Sequence, residues 1–281
     1  MNMQDPQEAE YLKDPGFLSL LAYIRQQKGI DLSSYRKSFV LRRLRVRMSN
    51  LKLERYVDYE GYIRKTPEEF GFLLNTLGVN VTEFFRDIEV FQAMRSVVIP
   101  DILKRKAEMN NRVLRVWSAA CATGEEPYSL AIMLKEELAS RGDYSLRIIA
   151  TDMDREALDK AAKAEYKAIE LKKLDKKTLD KYFIPVYNNV YKLKDEIKGM
   201  VKFQQHNLIT EPYLQFMDLV CCRNIMIYLT RQQQEEFTRK FYSSLNAKGY
   251  LTVGKVENVW QKDLFTAAEP GNKNKIYQKI G

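Results

Sequence analysis

Five short segments hold most of the side chains able to do chemistry. The longest is Ser118-Ala119-Ala120-Cys121-Ala122-Thr123-Gly124-Glu125-Glu126-Pro127-Tyr128-Ser129, which follows a short apolar run. Small side chains at Ala119 and its neighbours let a ligand approach the backbone, and the helix that follows offers unpaired N–H groups. The spacing is not G-x-G-x-x-G, and Glu125 and Glu126 would repel a pyrophosphate. They suit a cationic ligand or one rich in hydroxyl and amino groups; a tight turn with acidic capping is the plain alternative. Thr151-Asp152-Met153-Asp154 follows a second apolar run. A carboxylate there commonly takes ribose hydroxyls; the alternative for Asp152 is a helix cap, a role that Asp154 fills better. His206-Asn207-Leu208 and Cys222-Arg223-Asn224-Ile225-Met226-Ile227-Tyr228 end two further runs. His206, the sole histidine, suits a structural place at a strand end better than a general base. Upstream, Asn80-Val81-Thr82-Glu83-Phe84-Phe85-Arg86-Asp87 sets Arg86 beside two aromatics, an unusual place for a purely solvated charge.

The elements that position these residues follow from periodicity. Val113–Trp117, Leu146–Ala150, Val201–Phe203, Met217–Cys222 and Tyr250–Val253 read as buried strands. Helices from Glu126 to Ser140 and from Arg155 to Ala164 alternate with them, the first with Pro127 near its start and Gly142 beyond its end. This alternation predicts a mostly parallel α/β sheet, whose ligands bind at the carboxyl ends of the strands. Upstream the pattern is helical, over Phe17–Gln27, Ser34–Leu51, Glu54–Lys65 and Pro67–Leu77. The predicted organisation is a helical domain at 1–78, a linker and connecting helix at 79–111, and a sheet domain at 112–281. Within the last, 182–203 reads as a small antiparallel insertion around paired asparagines.

The 281 residues carry a net charge of +9, with 45% hydrophobic and 30% charged residues. That is a globular balance with a leaning toward acidic partners. The polar, acidic N-terminus is neither a signal nor a transit peptide, and no stretch approaches the roughly 18 apolar residues of a spanning segment. Three cysteines without C-x-x-C spacing argue against a disulfide framework or zinc site. A cytoplasmic location, no membrane insertion, no bound metal and a monomeric state are the expectations.

Taken together, the five segments resemble the chemoreceptor glutamate methyltransferases, the CheR family, in order from about Phe17 to Lys279. The motifs are N-V-T-E-F-F-R-D, W-S-A-A-C-A-T-G-E-E-P-Y-S, T-D-M-D, H-N-L and C-R-N-I-M-I-Y. Each is weak singly, and five in order are specific. The resemblance implies a Rossmann-like class I methyltransferase sheet with a small all-helical N-terminal domain. It implies S-adenosylmethionine as cofactor, S-adenosylhomocysteine as product, and the cytoplasmic helices of methyl-accepting chemotaxis receptors as partner. At matching positions, Asn80, Thr82 and Arg86 would reach the cofactor site. Glu125 or Glu126, with Glu126 favoured, and Asp152 would hold the polar end or ribose. Asn207 and Leu208 would flank the adenine, Arg223 and Asn224 would close the site, and Tyr228 would lie near the methyl group. Arg86 and Tyr228 are the catalytic candidates, orienting the acceptor carboxylate.

There are departures from the family pattern. Gly254-Lys255-Val256-Glu257 stands where the family has G-H-S-E, which raises the question of that loop's packing and of activity. The insertion also looks short between Phe183 and Val190, suggesting recognition that does not depend on a receptor tail. On the helix over Ser34–Leu51, Val40, Leu44, Met48 and Leu51 share one face, at about 3.6 residues per turn. Arg42 points away from it, flanked by Arg43 and Arg45; with Arg47 these are the candidate receptor-docking residues. Two other functions fit parts of the pattern: a nucleic-acid methyltransferase, from the basic charge, and a non-catalytic cofactor-sensing or scaffold module. The first lacks an N-P-P-Y or D-P-P-Y segment, so no nucleic acid is expected.

Overall fold

The computed structural model describes residues 13–28, 32–77, 82–139 and 141–281. They form two units. One comprises the described residues up to Leu77 together with Tyr228–Thr230; the other comprises residues 82–227 and 231–281.

The helical unit contains α1 (Pro15–Lys28), α2 (Lys37–Asn50), α3 (Tyr56–Lys65) and α4 (Glu69–Thr76). Apolar residues at helical spacing build its core: Phe17, Leu20 and Ile24 from α1, Val40, Leu41, Leu44 and Met48 from α2, and Tyr59 and Ile63 from α3. Each such burial contributes about 1.5–3 kcal/mol. The sequence predicts α2 from Ser34, yet it starts at Lys37. The preceding residues are drawn into a bridge between Tyr35 and Leu229, in which the Arg36 amide donates to the Tyr228 carbonyl at 2.7 Å. The start of α4 is later than expected too, because Thr66–Glu68 form a turn ahead of it.

The sheet unit opens with α5 (Ile88–Ala93), which runs through a π-turn (Met94–Val98) into α6 (Ile99–Glu108). There follow β1 (Val113–Ala119), α7 (Glu125–Leu138), β2 (Ser145–Asp152), α8 (Arg155–Lys163) and β3 (Glu165–Lys167). Next come α9 (Lys176–Tyr182), β4 (Phe183–Tyr187), β5 (Val190–Leu193), α10 (Asp195–Lys198) and β6 (Val201–Gln205). The chain ends with β7 (Met217–Cys221), α11 (Arg231–Ser244), β8 (Leu245–Thr252), β9 (Phe265–Ala267) and β10 (Ile276–Lys279). The main sheet has the order β6-β2-β1-β7-β8-β10-β9. Its first five members are parallel, and β10 pairs antiparallel with both β8 and β9.

From β1 the chain steps outward to β2 and β6, then returns to β7 on the other side. The strand order therefore reverses between β1 and β7, and the crevice at their carboxyl ends is where such sheets bind ligands. At the opposite end of β7, a buried Lys106–Asp218 pair at 2.9 Å ties α6 to the sheet. Asp218 also accepts from the Arg115 amide and from Asn246.

A separate three-stranded antiparallel sheet, β3-β5-β4, forms the insertion. Asn188 and Asn189, both at positive φ, make the two-residue hairpin turn that the paired asparagines suggest. The sheet recruits β3 from outside the expected 182–203 span and ends at Leu193, while β6 joins the main sheet. Among the described residues, no helix is long and apolar enough to cross a membrane.

Candidate functional site

The turn after β1 holds three residues at positive φ, two of them alanines, which tolerate a left-handed backbone poorly. Ala120 and Ala122 lie at φ 59° and 47°, and Gly124 at 96°. Non-glycine residues in this region cost about 1–3 kcal/mol each, and persist where surrounding contacts hold them. Asp152, at the end of the neighbouring β2, supplies one such contact. Its Oδ2 accepts from the Ala122 amide at 2.8 Å, and its Oδ1 from the Asp154 amide at 2.9 Å. Burial pushes the Asp152 carboxyl above the ordinary aspartate range, and those amide donors pull it partly back. Asp154 caps α8, accepting from the Glu156 and Ala157 amides, so Asp152 is left for the crevice side of the turn.

The two glutamates at the start of α7 part company. Glu125 is buried, and both its oxygens accept from the Thr123 hydroxyl within the same turn. Desolvation raises its pKa. Glu126 turns toward the ends of β1 and β7, where Ser118 Oγ donates to its Oε1 at 2.8 Å. Arg223 Nη1 donates to its Oε2 at 3.3 Å. Glu126 is thus the glutamate of the pair that reaches the ends of β1 and β7.

Arg223 is the hub of the crevice. Its side chain is only 2% exposed, and it forks between two walls. Nη2 donates to the Arg86 carbonyl at 2.8 Å and to Asp87 Oδ2 at 2.7 Å, while Nη1 meets Glu126. The guanidinium also lies 5.8 Å from the centroid of the Phe91 ring. Phe85 and Asp87, on either side of Arg86, are left-handed at φ 49° and 56°. The Phe85 amide donates to Ser129 Oγ at 2.9 Å, and Phe84 is buried edge-on against Tyr166 and Phe183. Phe84 is thus core, with Phe85 packed partly buried against it, and this packing fixes the backbone that Arg223 grips. Thr82 and Arg86 are half-buried in this connecting segment, and Asn80 lies outside the described residues.

Ala119 is fully buried at the end of β1. Leu208 is buried, and the Asn207 side-chain carbonyl accepts from the Ile209 amide at 2.9 Å, shaping the turn after β6. His206 serves structure: its Nε2 donates to the Pro212 carbonyl at 3.0 Å, and its ring sits edge-on to Trp117. Asn224 is left-handed at φ 62°, its amide donating to Glu257. Tyr228 belongs to the helical unit, stacked near Tyr35 and Phe39 at centroid distances of 5.5 and 4.9 Å.

The four docking arginines also divide. Arg42 and Arg45 are exposed on α2, and Arg43 is half-buried, 5.4 Å from the Phe39 ring centroid. Arg47 departs from the docking expectation. It forms a bidentate pair with the buried Glu69, which also accepts from the Tyr59 hydroxyl, so this guanidinium holds α2 to α4.

Two carboxylates that hold the neighbouring loops, Asp87 and Glu257, have no role in the sequence reading. Asp87 stands at the start of α5 and Glu257 in the loop beyond β8, and neither belongs to an apolar run. A carboxylate three residues after a strand-end glycine is the signal that would have found Glu257.

A mostly parallel seven-stranded sheet, with a ligand crevice at its switch point and an antiparallel β10, defines a Rossmann-like methyltransferase of class I. Two family models match: the CheR methyltransferase SAM-binding domain over residues 80–272, and the CheR methyltransferase all-alpha domain over 15–77. Chemotaxis protein methyltransferase 2 of Vibrio cholerae is 32% identical over 253 residues, 88% of this chain and 87% of its own. The chemotaxis protein methyltransferase of Salmonella typhimurium is 32% identical over 255 residues, 88% and 85% of the two chains. That of Borreliella burgdorferi is 29% identical over 263 residues, 92% and 89%. The chain belongs to the CheR methyltransferase family. It is an S-adenosylmethionine-dependent protein methyltransferase, and its activity is methylation in chemotaxis.

The crevice fits that cofactor. Alanines at 119, 120 and 122 leave room against the backbone, and Asp152 and Glu126 are acceptors for hydroxyl and ammonium groups. The side-chain amide nitrogens of Asn207 and Asn224 make no hydrogen bond among the described residues. Asp152→Ala is expected to weaken S-adenosylhomocysteine binding by about 10- to 100-fold, since charge-assisted hydrogen bonds contribute about 1.5–3 kcal/mol. Titration calorimetry on the folded variant checks this; unchanged affinity would remove Asp152 from the site.

Proposed function

We propose that the chain methylates glutamate side-chain carboxylates on the cytoplasmic helices of chemotaxis receptors, forming methyl esters. One observation carries the choice of acceptor. The single histidine is buried and donates from Nε2 to a backbone carbonyl, so it is not placed as a general base. An acceptor with an unperturbed pKa of about 4.3 is already an anion at neutral pH and needs no base.

S-adenosylmethionine supplies a methyl group on a cationic sulfonium. The protein's own work is then positioning and exclusion of water. Opposite charges cancel as the acceptor attacks, so a desolvated crevice favours the transition state over the separated ions. Orientation of well-placed groups contributes about 7–11 kcal/mol. In this reading Asp152 and Glu126 hold the ribose and the polar end of the cofactor. Asn207 and Leu208 flank the adenine, Thr82 approaches from the connecting segment, and Arg223 and Asn224 close the crevice. Arg86 orients the acceptor carboxylate.

Docking falls to the exposed arginines of α2. Receptor methylation helices are acidic, and long-range attraction raises encounter rates in a salt-dependent way. Arg42→Glu combined with Arg45→Glu is expected to raise the KM for a receptor fragment about 10-fold at low salt and to flatten its salt dependence. Cofactor affinity is expected to stay at the parent value. Steady-state kinetics over a salt series, with a gel-shift assay on duplex DNA and RNA, tests the reading. Unchanged KM, or tight salt-sensitive nucleic-acid binding through the same arginines without receptor methylation, would reverse it.

A further inference from the structure

The loop after β8 carries a carboxylate that the proposed chemistry does not use. Glu257 is 4% exposed, and its oxygens face backbone amides. Oε2 accepts from the Gly254 amide at 2.5 Å and the Asn224 amide at 3.0 Å; Oε1 accepts from the Ile227 amide at 3.1 Å. These donors belong to two loops, one after β7 and one after β8. A buried carboxylate is costly unless its oxygens are satisfied, and converging N–H groups satisfy it as an anion nest does. Burial raises the Glu257 carboxyl above the ordinary glutamate range, and the amide donors draw it partly back.

The fit is close on the glycine side. A Cβ at Gly254 would lie 2.7 Å from Asn224 Nδ2 and 2.8 Å from Glu257 Oε2. Asn224 holds a left-handed conformation at φ 62° in the same place. The two residues that depart from the family pattern stay outside this arrangement. Val256 is 74% exposed, and Lys255 reaches out to pair with Glu89 at 2.8 Å. The contacts to the 223–227 turn come from Gly254 and Glu257, and Lys255 and Val256 take no part in them.

We propose that Glu257 is a positioning residue for cofactor binding: it fixes the 223–227 turn, so that Arg223 enters its fork between Asp87 and Glu126 and Asn224 faces the cofactor. This rests on the reading of Asn224 as a cofactor contact. Glu257→Gln replaces one acceptor oxygen by a donor that confronts N–H groups. By calorimetry, well below its melting temperature, it is expected to bind S-adenosylhomocysteine at least about 10-fold more weakly. Ile102→Ala, a buried truncation in α6, serves as a control for lost stability and is expected to keep parent affinity. Asn224→Ala is expected to weaken binding on its own, and the double variant to be no weaker than the weaker single variant.

Parent affinity in Glu257→Gln, or losses that add in the double variant, would overturn the positioning role. Parent affinity in Asn224→Ala would instead defeat the contact reading. If Glu257→Gln does not fold, amide exchange in the parent decides. S-adenosylhomocysteine is expected to slow exchange at Gly254, Asn224 and Ile227 about 10-fold, and equal rates with and without it would overturn the proposal.

Discussion

Arg223→Ala is expected to destabilise the protein by about 3–5 kcal/mol and to bring cofactor binding below detection in ordinary calorimetry. The reason is geometric. The guanidinium is nearly fully buried and answers four acceptor contacts on two walls: the Arg86 carbonyl, Asp87, Glu126 and the face of Phe91. Its removal leaves two carboxylates facing one cavity with no cation between them. It also frees the left-handed Phe85 and Asp87 backbone to relax. Arg223→Lys keeps the charge but not the fork, and one ammonium cannot span both walls. It is expected to recover part of the stability and little of the affinity. Urea denaturation with calorimetry on both variants checks the account; an alanine variant as stable as the parent would mean that the fork contributes nothing.

Gly124→Ala is expected to cost about 2–5 kcal/mol. Two independent terms add here. At φ 96° a side chain adds about 1–2 kcal/mol of backbone strain. The new Cβ would also lie 2.9 Å from Ala161 Cβ and 3.0 Å from Tyr166 Oη. Neither neighbour can move freely. Ala161 sits within α8, and its carbonyl accepts from the Tyr128 hydroxyl at 2.9 Å. The Tyr166 hydroxyl donates to the Thr123 carbonyl at 2.9 Å. Relief must come from moving the 119–126 turn, overpacking of a kind that costs about 1–3 kcal/mol. The same movement displaces Ala122 from Asp152 and Glu126 from Arg223, so cofactor affinity is expected to fall with stability. A midpoint shift in urea without loss of affinity would show that the turn adapts.

The strand ends were legible because parallel strands buried on both faces leave short apolar runs, after which small and polar residues stand out. Ala119, Asp152, Arg223 and Asn224 stand out that way as candidates. The roles inside the crevice were less legible, since partners lie far apart in the chain. Arg223 meets Asp87 and Glu126 across 136 and 97 positions. No local pattern reports such a fork. Glu125 and Glu126 look alike in sequence and differ only by the turn of a helix, about 100° per residue, which sends one inward and one to the crevice. Arg47 read as one more surface cation because its partner, Glu69, belongs to another helix. The strands β3, β9 and β10 went unread because each is only three or four residues long, too short for periodicity to show. The late start of α2 has a similar origin, since its bridge partner is Leu229.

The central claim is that the methyl group arrives on a glutamate carboxylate of a receptor. The direct measurement incubates the protein with methyl-labelled S-adenosylmethionine and a receptor cytoplasmic fragment, then treats the isolated fragment with mild alkali. The account predicts label on the receptor that is released as volatile methanol, with receptor variants lacking the modified glutamates left unlabelled. Label that stays on the protein through alkali, as N-methyl groups do, or label found in nucleic acid with none on the receptor, would contradict it.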